Sequence, residues 1–157
     1  MKRRAPIFAV LSALVFSPNT LARAPFDQYA NFGDASPTIR DLFTRLEWTR
    51  AVSSKPLSWN DADSECKSQG GGTPFRLPTV KELQTLVDEQ PTLVGTTPRY
   101  LDSNAFPAET SKVSIRYWTA TATGNGGERF AMDFATGATS VAAPDKELFV
   151  RCVRTVP

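Results

Sequence analysis

The sequence predicts an α+β domain, with two short helices ahead of an antiparallel sheet, and three local patterns carry that expectation. Ser58-Trp59-x-x-Ala62-x-x-x-Cys66 sets Trp59, Ala62 and Cys66 at i, i+3 and i+7 behind a Ser58 cap, with Asp61 three residues on. Thr79-x-x-Glu82 is a capping box at the head of a second apolar periodicity. Gly124-Asn125-Gly126-Gly127 separates two segments rich in aromatic and β-branched residues, the signal of a hairpin. A chain of 157 residues, 41% hydrophobic, is long enough to bury one core around such elements.

Taken in order, residues 1–24 read as a secretion signal. Lys2, Arg3 and Arg4 form a basic start, Ile7 to Phe16 is an apolar run too short to span a bilayer, and cleavage is expected after Ala22 or Ala24. Residues 25–40, broken by Pro25, Gly33 and Pro37, are expected to form a lead-in arm, and residues 41–157 the domain. Arg45 to Arg50 reads as the first strand, ended by Ser53, Ser54 and Pro56. The first helix runs from its Ser58 cap to Gln69-Gly70-Gly71-Gly72.

Phe75-Arg76-Leu77-Pro78 is extended, because the residue before proline is pushed out of helical geometry. In the second helix Val80, Leu83, Leu86 and Val87 supply an apolar face through to Pro91. Residues 91–115, interrupted by Pro91, Gly95, Pro98 and Pro107, are expected to be one long irregular loop. Tyr117 to Thr123 and Glu128 to Phe134 form the hairpin, with Phe130, Met132 and Phe134 alternating with Arg129, Ala131 and Asp133 so that one face is buried. Thr139 to Ala143 is a weak strand, and Leu148 to Val156 a last strand carrying Cys152.

Composition narrows the chemistry. The chain contains no histidine, which removes Ser-His-Asp and Cys-His nucleophile pairs, the HExxH metal helix and imidazole-ligated zinc or haem. Loss of residues 1–24 takes away Lys2, Arg3, Arg4 and Arg23 and no acid, leaving the 16 acidic residues in slight excess. The remaining basic residues form no stripe, so a nucleic-acid partner is not expected. Cys66 and Cys152 are the two cysteines, and in an exported chain an even count favours one disulfide. It would close a loop of about 87 residues and stabilise the fold by about 4 to 5 kcal/mol in the chain-entropy model. Two buried free thiols and a catalytic cysteine are the competing readings.

Several fragments together resemble a known family. They are Asp41-x-x-Thr44-x-Leu46-x-Trp48, Ser58-Trp59-x-x-Ala62-x-x-x-Cys66 and Arg76-Leu77-Pro78-Thr79-x-x-Glu82-Leu83, followed by Phe106-Pro107, Tyr117-Trp118-Thr119 and Val150-Arg151-Cys152-Val153-Arg154. Over roughly residues 41–154 they resemble the Lcl C-terminal domain family, within the C-type-lectin-like architecture. The family usually has glycine after the threonine of the first motif, whereas this chain has Arg45. The resemblance implies that the amino- and carboxyl-terminal strands pair and that two helices flank a twisted antiparallel sheet with a long irregular loop region. It also implies that a cysteine in the first helix bonds one in the last strand, the places of Cys66 and Cys152.

Trp59-Asn60-Asp61 spells the triplet that supplies calcium ligands in sugar-binding C-type lectins. In those lectins it lies on a late strand. Here it opens the first helix, where Asn60 and Asp61 serve capping and dipole roles, and no metal or cofactor is expected. The Arg-Leu-Pro-Thr-x-x-Glu stretch with the terminal Arg-Cys-Val-Arg also resembles the formylglycine-generating enzymes. Those use a separate reactive cysteine pair, so catalysis is the lesser reading and the chain is expected not to be an enzyme.

Arg76 and Glu82 are read as structural partners, and Trp48, Trp59 and Trp118 as core. The candidate ligand-binding residues are Arg116, Tyr117, Asn125, Glu128 and Arg129, near the loop and the hairpin. The expectation is an exported, periplasmic or extracellular binding or adhesion module for a glycan or protein surface, with a structural envelope component as alternative and no membrane span in the mature form.

Overall fold

The computed structural model describes residues 25, 27–30, 36–70, 72–107, 116–124 and 127–156. The expected signal segment and Asn125 lie outside these residues. The fold is mixed α and β, and within the described residues it has two helices, one disulfide and three small antiparallel sheets rather than one. The strands are short and separated by turns, so two of the sheets are local ribbons, while the remaining one joins strands from the two ends of the chain.

The terminal sheet has the order β1 (Tyr29–Ala30), β2 (Thr38–Asp41), β3 (Leu46–Thr49), β9 (Val153–Thr155). The strand read first from the sequence, β3, therefore pairs with the carboxyl-terminal β9, with Leu46 opposite Thr155 and Trp48 opposite Val153. Part of the expected lead-in arm is strand instead. Ile39 is buried and sits opposite Trp48, so pairing with β3 covers an apolar side chain that an arm would leave in water. The buried Asp41 shapes the β2–β3 turn by accepting the backbone N–H groups of Phe43 and Thr44 at 2.9 and 3.1 Å. Arg45 closes that turn at φ 58°, in the left-handed region.

α1 (Trp59–Ser68) begins where the cap predicts it, the Ser58 hydroxyl accepting the Asp61 N–H at 3.3 Å. It stops at Gln69, whose N–H donates to the Cys66 carbonyl. Gly70 follows at φ 88°, and a Cβ there would come within 3.1 Å of the Phe75 ring. Arg76 then pairs with Val153 by two backbone hydrogen bonds of 2.9 and 3.0 Å. α2 (Val80–Gln84) has the predicted capping box but ends far short of Pro91.

Val87–Val94 is strand β4 and Thr97–Leu101 is β5, so the region read as helix end and irregular loop is largely a hairpin. The third sheet is β6 (Arg116–Ala122), β7 (Arg129–Asp133) and β8 (Ala138–Ala142). It separates two apolar clusters. Tyr117 and Met132, cross-strand partners, point into one with Trp48, Leu83, Phe106 and Phe134; Trp118 and Ala131 point into the other with Ala62, Leu77 and Val150. Both faces are thus covered, and β7 does not show the one-sided burial that its alternation suggests.

The expected last strand is regular only at β9. Ahead of it, residues 148–152 bond to five partners in turn: Leu148 to Leu57, Phe149 to Arg116 and Trp118, Val150 to Ser53, and Cys152 to Thr49. The Arg151 side chain is fully buried and donates to the carbonyls of Thr49 and Arg50, its guanidinium 4.2 Å from the Phe106 ring centre. Cys66 and Cys152 form the disulfide, with 5.4 Å between their α-carbons.

Candidate functional site

The residues proposed from sequence do not converge. Tyr117 is a correction: β6 turns it into the core, where its ring packs edge-on against Phe134 at 5.3 Å, and it presents nothing to solvent. Arg116 lies at one end of β6, donating to the Ser140 hydroxyl at 2.7 Å and the Val141 carbonyl at 3.2 Å. Glu128 and Arg129 lie at the other end of the hairpin; along β7, Arg129 is four residues from Asp133, the partner of Arg116, or about 14 Å at the usual rise per strand residue. Arg129 stacks its guanidinium 4.4 Å above Trp59, and the half-buried Trp59 donates its indole N–H to the Thr119 carbonyl. Trp48 and Trp118 are core, as read.

Two other pairs from the sequence have structural roles. Arg76 grips Glu82 with two hydrogen bonds of 2.8 and 2.7 Å. Burial pushes the Glu82 carboxyl up, but the Arg76 guanidinium and the Thr79 N–H and hydroxyl outweigh it and hold the group below its ordinary value. The same Glu82 hydrogen bond raises Arg76. Asn60 and Asp61 belong to the start of α1, and Asp61 Oδ2 accepts the Ser58 hydroxyl at 2.7 Å.

A concave site lies elsewhere. A groove of about 410 Å³ runs between the C-terminal end of α1, the ends of β2 and β3, and the closing segment. Its apolar lining is Pro37, Ala51, Val52, Phe75 and Val150, and its polar lining is Thr38, Thr49, Ser53, Glu65, Gln69 and Arg154. These side chains arrive from both sides of the disulfide. Glu65 precedes Cys66 on one wall, and Val150 and Arg154 flank Cys152 on the other, so the covalent bond fixes the spacing of the walls.

The polar groups differ in what they have left to offer. Thr49 Oγ1 and Ser53 Oγ accept the N–H groups of Cys152 and Val150, each at 3.1 Å, and keep their own protons for donation. Arg154 is committed: it holds both oxygens of the buried Glu47 at 3.1 and 3.0 Å, donates to the Thr73 carbonyl and rests 4.6 Å over Phe75. Glu65 and Gln69, four residues apart on α1 and its cap, are half-buried and their side chains have no partner among the described residues. Such a set suits reversible binding of a polar ligand against an apolar floor.

Sequence reading missed this groove because its lining comes from five separate stretches of chain, none with a pattern of its own. One signal was available. Once Cys66 and Cys152 are joined, the residues beside each half-cystine must face one another.

Both cysteines are consumed by the disulfide. Among the described residues no helix is long and apolar enough to cross a membrane. The family model of the Lcl C-terminal domain matches residues 37–154. No curated protein matches the chain.

Proposed function

The chain belongs to the Lcl C-terminal domain family, and from that premise we propose that it is an exported, non-enzymatic binding or adhesion module with a lectin-like arrangement of its loops, which holds a glycan or protein surface in the groove beside the disulfide. The observation that carries this reading is the pair of unpartnered polar side chains, Glu65 and Gln69, set in a groove of about 410 Å³ with an apolar floor. Polar groups not committed to another side chain are open to a ligand that enters the groove.

The disulfide supports export, since such bonds persist in oxidising compartments and this one joins two buried side chains. It also weighs against a formylglycine-type oxidase, which needs a thiolate to attack. The site thus shifts from the hairpin residues Arg116, Glu128 and Arg129 to the groove, because those three are spread along a sheet while the groove residues face one space.

Amide-detected NMR titration of the mature protein with a panel of neutral, acidic and amine-bearing oligosaccharides tests the reading. Saturable shifts at Thr38, Ser53, Glu65 and Gln69 are expected, and they should vanish in a Glu65→Ala/Gln69→Ala variant with an unchanged melting temperature. Shifts confined to residues 116–129 would move the site back to the hairpin. No saturable binding to any glycan or protein surface would leave a structural envelope role.

A further inference from the structure

We infer that the groove selects an amine-bearing oligosaccharide, of the glucosamine type, over neutral and acidic ones; this rests on the groove being the binding site. Its lining holds two charged side chains, Glu65 and Arg154. Arg154 is paired with Glu47 by a two-point contact, and a third of its five N–H groups goes to the Thr73 carbonyl. Arg40 also approaches Glu47, at 3.8 Å, but does not line the groove.

Glu65 has no such counterion among the described residues. The nearest basic residue on its helix, Lys67, is taken by Asp63 at 2.6 Å. Glu65 is therefore the charged side chain of the groove that lacks an ion-pair partner among the described residues.

The helix adds to it. Gln69 caps the C-terminal end of α1 within the groove, and the partial negative charge of a helix C-terminus favours a cation there. An anionic sugar would meet both fields with the wrong sign. An ammonium group meets both with the right one and supplies the donors that a carboxylate, an acceptor only, requires.

The rest of the lining argues for a sugar rather than a lysine side chain. A hexosamine ring offers an apolar C–H face and several hydroxyls together. Val52, Val150 and Phe75 lie beside the hydroxyls of Thr38, Thr49 and Ser53 and the amide of Gln69, which matches both halves of that surface. A lysine stem would fill the apolar part and leave the hydroxyl-bearing side chains unused.

The experiment compares three probes by calorimetry and NMR at about 50 mM salt, where charge effects are least screened: the β-1,4-linked trimer of glucosamine, its N-acetylated counterpart, and a trimer of a uronic acid. The amine-bearing trimer is expected to bind about three- to tenfold more tightly than the acetylated one, as a half-exposed charge pair and a helix terminus together allow. The acidic trimer should be weakest. Glu65→Gln, close in shape but uncharged, should erase the preference, bringing the affinities of the amine-bearing and acetylated trimers together.

Equal or tighter binding of the acetylated or acidic trimer in the groove would overturn the charge selection and leave the groove as the site. Displacement of the amine-bearing trimer by a lysine-rich peptide with higher affinity would overturn the sugar class. An absence of shifts at Glu65 and Gln69 with every probe would remove the groove itself.

Discussion

Two regions of this molecule are stabilised in opposite ways. The terminal region, made of α1, β3, residues 148–152 and β9, is held by bonds between residues far apart in sequence: Cys66 with Cys152, Arg151 with the carbonyls of Thr49 and Arg50, Arg154 with Glu47. The β4–β5 hairpin is held mainly by its own two strands, and Leu93 stands exposed near its tip. At its base the Tyr100 N–H donates to the Phe134 carbonyl, and Leu101 enters the core. The difference teaches where cooperativity resides. Breaking a long-range tie releases much of the chain at once, whereas a local turn releases little beyond itself.

The largest effect should follow loss of the disulfide. A Cys66→Ala/Cys152→Ala variant is expected to lose about 4 kcal/mol of unfolding free energy in urea titrations, with the melting temperature falling by on the order of 15 °C. A loss below about 1 kcal/mol would mean that the terminal region is held without its staple.

Next comes Arg151→Met, which keeps the apolar stem but abandons two buried carbonyls and the cation over Phe106. About 3 kcal/mol of destabilisation is expected, read in the same titration. Little or no change would show that water replaces the guanidinium there, and that the closing segment depends on backbone pairing alone.

The same contrast explains which parts of the fold were legible in the sequence. Caps are local, so Ser58 and the Thr79–Glu82 box announced both helix starts correctly. Helix ends are set by competition. Leu86 and Val87 keep helical spacing after Gln84, yet the Asp88 side chain accepts the Gln90 N–H at 2.8 Å, and Pro91 disfavours helical geometry at Gln90.

Pro91 and Pro98 then read as breakers, although proline is tolerated at edges and irregularities of a two-stranded ribbon. Pro91 lies inside the register shift between Val87 and Thr92. The closing segment misled in the opposite sense. Its β-rich composition reads as one strand, but residues 148–152 spread their bonds over Leu57, Arg116, Trp118, Ser53 and Thr49. The groove shares that origin, being assembled from stretches whose proximity only the disulfide advertises.

Between the two regions lies the Arg76–Glu82 pair, which ties the segment beside β9 to the start of α2 and titrates. Because its partners hold Glu82 below its ordinary value in the folded state, its contribution is present in full above the ordinary glutamate range. It is lost as the pH falls through the lowered folded value. The arginine side chain is about two-fifths exposed, so solvent screens the pair, and about 1 kcal/mol is expected from pair and cap together. Glu82→Gln should therefore melt below the parent at pH 7, by a margin that holds down to the ordinary glutamate range and closes as the pH falls through the lowered folded value. A margin that stays constant to pH 2 would assign the whole effect to shape and none to charge.

The smallest expected effects come from a reciprocal pair of turn residues, one in each region. Gly95, in the β4–β5 turn, has φ 62° and nothing within 4 Å of the place a Cβ would occupy, so Gly95→Ala costs conformational strain and no clash. About 1 kcal/mol is expected, and it should appear as faster amide exchange at Thr97 and Arg99 with the urea midpoint of the domain unmoved. Arg45 presents the inverse case at φ 58° in the β2–β3 turn. Glycine there removes the left-handed strain but adds freedom to the unfolded chain, for a net gain of about 0.5 kcal/mol. Because that turn joins two strands of the terminal sheet and the Arg45 carbonyl accepts the Val156 N–H at 3.1 Å, the gain should raise the global midpoint. If alanine at 95 lowers the global midpoint as well, hairpin and terminal sheet unfold together and the contrast between local and long-range stabilisation fails.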